Sequence, residues 1–221
     1  MTAVNRRHLL ATLAALPLSA LATRRALAQE GGLITGNVCM VQRETTEGPY
    51  YIDPKLERRD VTEGLPGLPL DLALQVVDAG CSPIAGARVD IWHCDAAGRY
   101  SGYARENTAG ETFLRGSQIT GADGVARFAT IYPGWYPGRA VHVHYKVLLG
   151  NRTQLTSQIF FPEAVSDQVY EKVAAYAGRG ARDRRNETEG IARRAGRGAV
   201  AEVANARRGL QASLVAGVRA G

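Results

Sequence analysis

The sequence predicts an all-β fold, a two-sheet sandwich with long loops and one short helix. Two observations carry that expectation. Apolar residues recur with a period of two in short runs, and clusters of Gly, Pro, Asp and Ser separate the runs. Successive side chains of a strand point to opposite faces, so such runs bury one face each, as stacked sheets require. Composition agrees: 45% hydrophobic and 22% charged residues over 221 positions can bury a real core and exclude fibrous or low-complexity chains.

The elements follow in chain order. Arg6-Arg7, an apolar run from Leu9 to Ala22 and the small residues Ala26-Leu27-Ala28 have the layout of an export signal, so residues 1–28 are expected to be removed. The paired arginines resemble a twin-arginine (Tat) signal and imply a periplasmic or extracellular destination. Pro17 interrupts the run, which argues against a stable membrane anchor. Residues 29–221 form the sandwich. Its expected strands are Leu72 to Val77, Val89 to Trp92, Val125 to Ile131, Val141 to Leu149, Leu155 to Phe161 and a closing run from Gly209 to Val218. Asp78 to Pro83 and Gly121 to Gly124 supply turns. Ala164 to Tyr176 reads as the helix, with Val165, Val169 and Val173 on one face. The Arg- and Gly-rich stretch 178–197 reads as a solvated basic loop or arm whose role stays open.

The net charge of +6 resides at the ends of the chain. Residues 29–178 carry 13 basic and 17 acidic side chains, so no basic stripe crosses the body and a nucleic-acid partner is not expected. Cys39, Cys81 and Cys94 permit one disulfide with one thiol left over, and the pairing cannot be read.

The residues that point to chemistry cluster late in the chain. His142 and His144 lie two apart on an expected strand, so both imidazoles project to one side, the arrangement of a metal chelate. Local hydrogen bonding on a half-buried strand would explain the pair equally well. Tyr132 and Tyr136 lie just upstream, and Tyr100 follows the strand containing Trp92. A phenol with a pKa of about 10 is a poor ligand for zinc or calcium. Fe(III), a hard trivalent ion, would displace the phenolic proton and change that. His93 reads as structural, and Tyr132 competes with Tyr136 for the second tyrosine position.

Taken in order, Thr46 to Tyr51, Val89 to Ala96, Gly98-Arg99-Tyr100, Leu114-Arg115-Gly116, Gly134-Trp135-Tyr136, the His142/His144 pair and Gln158 to Pro162 resemble the intradiol ring-cleavage dioxygenases, which include catechol and protocatechuate dioxygenases. The chain is most similar to secreted single-domain members. The resemblance implies a non-haem Fe(III) held by Tyr100, Tyr136, His142 and His144. It also implies an active-site Arg139, a polar Gln158 near the metal, and a pocket bordered by Gly48 and Pro49. The reaction implied is cleavage of a 1,2-dihydroxybenzene by O2 to a muconate-type diacid, with Tyr136 as the phenolate that gives way to substrate. The partners are then a small aromatic diol and O2; a homodimer and the identity of the diol stay open. Tyr136 and His142 are six positions apart, a shorter loop than in better-known members. The alternative function is a non-enzymatic exported module of prealbumin-like sandwich type that stacks on aromatic or sugar rings. A copper or zinc hydrolase built on the His-x-His pair lacks further ligands at suitable spacing.

Overall fold

In the computed structural model, residues 40–53 and 55–219 are described. Among them eight strands form two four-stranded sheets. The first sheet runs in the order β4 (Val125–Ile131), β1 (Pro69–Val77), β8 (Gly209–Gly217), β7 (Glu202–Ala206). The second runs β3 (Arg115–Ile119), β2 (Arg88–Trp92), β5 (His142–Leu149), β6 (Arg152–Phe160). All named pairings are antiparallel except β1 with β8, where Leu70 lies beside Leu210 and the last strand of the chain runs parallel to the first.

All six expected strands are present. The two that the sequence did not announce, β3 and β7, are edge strands. Arg115-Gly116-Ser117-Gln118-Ile119 has no apolar alternation, because loops rather than the first sheet cover much of it. Glu202 to Ala206 is short and largely exposed.

Between the sheets lie Leu70, Leu72 and Leu74 of β1, Phe128 of β4 and Leu214 of β8. They face Val89 and Ile91 of β2 and Val143, Tyr145 and Val147 of β5, all buried in one cluster. Each such side chain contributes about 1.5–3 kcal/mol through burial. Odd-numbered positions of β5 thus fill the core, and the even-numbered His142, His144 and Lys146 point away from the first sheet. That outer face is itself covered, since all three are buried.

The helix starts as expected but is shorter. Helix α1 spans Glu163–Lys172, Val173 is extended, and Ala174–Tyr176 form a separate 3-10 turn. The hydroxyl of Tyr176 donates to Tyr132 O at 2.6 Å and accepts from Leu68 N at 3.1 Å, so buried hydrogen bonds set the break.

The basic stretch 178–197 is largely exposed, as expected of a solvated arm, but it is not featureless. It contains helix α2 (Gly190–Ala195), followed by a 3-10 turn at Arg197–Ala199, and Ala192, Ala195 and Ala199 pack on Phe160 and Ala140. Two of its arginines meet acids: Arg182 lies 2.8 Å from Glu163 and 2.6 Å from Asp167, and Arg185 lies 3.0 Å from Asp167. Sequence composition reported the charges but not the partners they meet across the fold.

Cys81 is disulfide-bonded and Cys94 is the thiol left over, buried and donating to Gly134 O at 3.1 Å. The expected export signal and Cys39 lie outside the described residues. Among the described residues no helix is long and apolar enough to cross a membrane.

Candidate metal centre and active site

The register of the second sheet lays the floor of the site. Directly opposed residues of antiparallel strands share a face. Arg115 opposes Trp92, Trp92 opposes His144, and His144 opposes Gln158, so these four side chains form one row across four strands. His142, opposite Phe160, belongs to the neighbouring row. The Trp92 ring stacks on His144 with centroids 4.9 Å apart and planes 10° from parallel, which fixes the imidazole's orientation. Below this row, buried Asp90 accepts from Arg88 at 2.7 Å, Ser117 at 2.6 Å and Tyr51 at 3.0 Å.

The loops bring the phenols. Tyr100 ends the turn after β2, and Tyr136 sits in the loop between β4 and β5. These loops meet backbone to backbone at Gly134, where any Cβ would lie 2.4 Å from Asp95 O and 2.6 Å from Ala96 O. Only glycine permits this approach. On its other side Tyr100 stacks on Tyr50, with centroids 4.1 Å apart and planes at 3°.

Four donor atoms converge. His142 Nε2 lies 3.0 Å from His144 Nε2, 3.2 Å from the Tyr136 hydroxyl and 3.4 Å from the Tyr100 hydroxyl, and the two hydroxyls are 3.4 Å apart. Good hydrogen bonds from a hydroxyl are shorter, about 2.7–2.8 Å. Donors each about 2.0–2.2 Å from one ion, by contrast, stand about 3 Å from their neighbours. His142 Nδ1 lies 2.7 Å from Ala140 O, a carbonyl that can only accept, so Nδ1 carries the proton and Nε2 turns a bare lone pair inward. The four residues therefore fit a metal ion. Among the described residues no group of three or more His, Cys, Asp or Glu could hold one, so an ion here needs the phenols.

Burial sets the protonation states. It lowers the His142 pKa to about 3, with Arg139 adding to the effect, and holds His144 well below the ordinary imidazole value, helped by His142, so both imidazoles are neutral. Burial also raises Tyr100 well above the ordinary phenol value, with Tyr136 adding to it, and raises Tyr136 to about 12 against the opposing pull of Arg139. The imidazoles are ready ligands as they stand. The phenols need a strong cation to lose their protons.

The other expected residues surround this cluster. Arg139 donates through Nη2 to Gln158 Oε1, and its Nη1 lies 3.5 Å from the Tyr136 hydroxyl. Gln158 in turn donates to Thr46 O at 3.0 Å, tying the segment before Gly48 to the floor. Gly48 adopts φ +70° beside His144; a Cβ there would lie 3.5 Å from Cε1. The carbonyl of Pro49 accepts from Tyr103 at 3.0 Å.

One histidine and one tyrosine weighed from the sequence lie elsewhere. His93 is buried between Cys94 O, 2.9 Å from Nδ1, and Thr130 Oγ1, 2.7 Å from Nε2, with both ring nitrogens occupied. The Tyr132 hydroxyl meets Ser166 at 2.7 Å in the core. The site also contains Trp92, Tyr50 and Arg115, which the sequence did not single out. Buried Arg115 clamps two loops, donating to Ser101 O at 2.8 Å and Tyr50 O at 2.6 Å. Trp92 joins the site through the register that sets it opposite His144, which no local signal carries.

A family model described as Dioxygenase matches residues 46–185. The fold is similar to that of an intradiol ring-cleavage dioxygenase from Tetranychus urticae. That match has a TM-score of 0.76 and 31% identity, and it covers 82% of this chain and 95% of that one. Catechol 1,2-dioxygenase 1 of Acinetobacter lwoffii is 28% identical over 137 residues, 52% of this chain and 44% of its own length. The protocatechuate 3,4-dioxygenase beta chain of Burkholderia cepacia is 33% identical over 125 residues, 50% of this chain and 52% of its own. The chain spans about half the length of the curated relatives it matches. The matched region carries Tyr100, Tyr136, Arg139, His142, His144 and Gln158, and on these grounds the chain belongs to the intradiol ring-cleavage dioxygenases.

Proposed function

We propose that the protein cleaves a catechol-type 1,2-dihydroxybenzene between its two hydroxylated carbons, using a resident non-haem Fe(III), and that both atoms of O2 enter a muconate-type diacid. The observation that carries this reading is the convergence of two phenol oxygens and two imidazole nitrogens, 3.0–3.4 Å apart along four of the edges between them. Phenols this resistant to ionisation favour a hard trivalent cation over zinc or calcium. Bound there, ferric iron would act as a Lewis acid and template, drawing electron density from a chelated diol so that its ring can react with O2.

The chain's own residues supply the rest. Tyr100 is fully buried and stacked, whereas Tyr136 is only partly buried on a loop. Tyr136 is therefore the phenol that yields to the diol and takes up one of its protons. Arg139, beside the Tyr136 oxygen, places a fixed positive charge where negative charge gathers on the ring and its oxygens. Gln158 holds one edge of that guanidinium, and Gly48 keeps the space against His144 free of a side chain.

Purified protein should contain about one iron per chain and show a visible tyrosinate-to-iron band, and with 18O2 the diacid should carry two labelled atoms. Arg139→Ala should keep iron and colour and lose most turnover. Stoichiometric zinc without colour, or a yellow semialdehyde product, would overturn the reading.

Export belongs to the same proposal. The Arg6-Arg7 pair suits passage in the folded state, and a metal site assembled from residues as distant in sequence as Tyr100 and His144 exists only after folding. Replacing both arginines by Lys should reduce export of iron-loaded protein; undiminished export would assign the leader to a general secretory route.

A further inference from the structure

The guanidinium of Arg139 is held on three sides, and only two of the holders belong to the site already described. Nη2 meets Gln158 and Nη1 faces Tyr136. The third edge, Nε, lies 3.5 Å from Oε1 of Glu189, in the segment that folds back after α1. That spacing is an ion pair rather than a well-formed hydrogen bond, and the buried Nε–H has no other partner. The two side chains are 17% and 7% exposed, so the charges face each other with little solvent between them.

We propose that Glu189 is a positioning residue that aims Arg139 at the reacting diol. This rests on the reading of Arg139 as the charge that acts on the substrate. Glu189 also caps α2: Oε1 accepts from Ile191 N at 3.0 Å and Oε2 from Ala192 N at 2.8 Å. Capping alone does not account for a glutamate. Ser, Thr, Asp and Asn are the residues that serve best at an N-cap, and each is shorter. The extra methylene carries the carboxylate to Arg139 while both backbone donors remain satisfied.

The surrounding segment supports the same task. Arg179 donates to Trp135 O and lies over the Trp135 ring, 5.1 Å from its centroid. Asp183 accepts from Gly138 N at 2.8 Å. The loop bearing Tyr136 and Arg139 is thus tied at residues 135, 138 and 139 by residues 179, 183 and 189. A guanidinium is planar, so fixing three of its edges fixes the direction in which its charge points.

The test compares Glu189→Asp in the parent and in an Arg139→Ala background, using the full chain. Aspartate keeps the cap and withdraws the carboxylate from Arg139, so the melting temperature should hold. In the parent, kcat should fall about 10- to 100-fold, the size of effect typical of an outer partner, with KM little changed. The visible band should shift as the guanidinium leaves the Tyr136 oxygen. In the Arg139→Ala background the same substitution should change neither kcat nor the band. Parent-like kcat in Glu189→Asp, or an equal loss in both backgrounds, would overturn the inference and leave the metal reading intact. A colourless, iron-free parent would overturn both, and that result is read before any variant is made.

Discussion

His142 and His144 sit on an inner strand, whereas Tyr100 and Tyr136 sit on loops outside the sheet, and different physics holds the two pairs. β5 is hydrogen-bonded to β2 on one side and β6 on the other, and its alternate residues are locked into the core. Its histidines inherit their positions from a ladder of backbone bonds and cannot shift singly. The tyrosines depend on a close approach of two backbones at Gly134 and on ties from residues 179–189. The strand half is a fixed pair of donors. The loop half is adjustable, which suits the proposed reaction, in which one phenol gives way to substrate.

The sharpest way to break this contrast is to remove a strand-borne donor. His142→Ala should abolish metal retention, a loss beyond the ~10- to 100-fold typical of an outer partner. Metal analysis of the purified variant checks it, and the sandwich should persist because Val143 and Tyr145 still hold the core. Gly134→Ala attacks the loop half through its backbone. A methyl 2.4 Å from Asp95 O must force the loops apart, costing about 1–3 kcal/mol and weakening the visible band, as thermal melts and spectra would show.

Tyr136→Phe and Tyr100→Phe sharpen the comparison within the loop half. Each removes one hydroxyl and little volume, so stability should change by less than about 1.5 kcal/mol while the band shifts or fades. The Tyr136 variant should retain iron better, because the stacked and buried Tyr100 is the more constrained ligand. A control outside the cluster is His93→Ala. It should leave metal content unchanged and cost about 1–3 kcal/mol, since Thr130 and Cys94 O lose a buried partner.

The smallest effect concerns pH and the segment behind the loops. Arg182 and Arg185 hold the Asp167 carboxyl below its usual value of 3.8. A carboxylate depressed in this way adds stability above its unfolded pKa and loses it as pH falls through the folded one. The ties of residues 182–185 should therefore be intact at neutral pH and loosen only below about pH 4. Hydrogen exchange should report this before the sheets open.

Much of the site was legible in the sequence where function coincides with local periodicity. A spacing of two put both histidines on one face, and the ordered motifs placed Tyr100, Tyr136, Arg139 and Gln158 beside them. Edge strands β3 and β7 were not legible, because their residues carry no apolar alternation to reveal them. The stretch 178–197 was legible only in part: its exposure follows from its composition, but composition says nothing of where the partners of Arg182, Arg185 and Glu189 lie.

By itself the sequence determined the sandwich, the core-facing side of each long strand and the kinds of donor available to a metal. Those properties follow from alternation and residue chemistry within a few positions. Only the tertiary structure decided that Trp92 and Gln158 flank His144, that Gly134 locks the two tyrosine loops together, and that Glu189 meets Arg139. Such contacts join residues 14 to 52 positions apart through strand register and chain return, and their geometry exists only when the whole chain has folded.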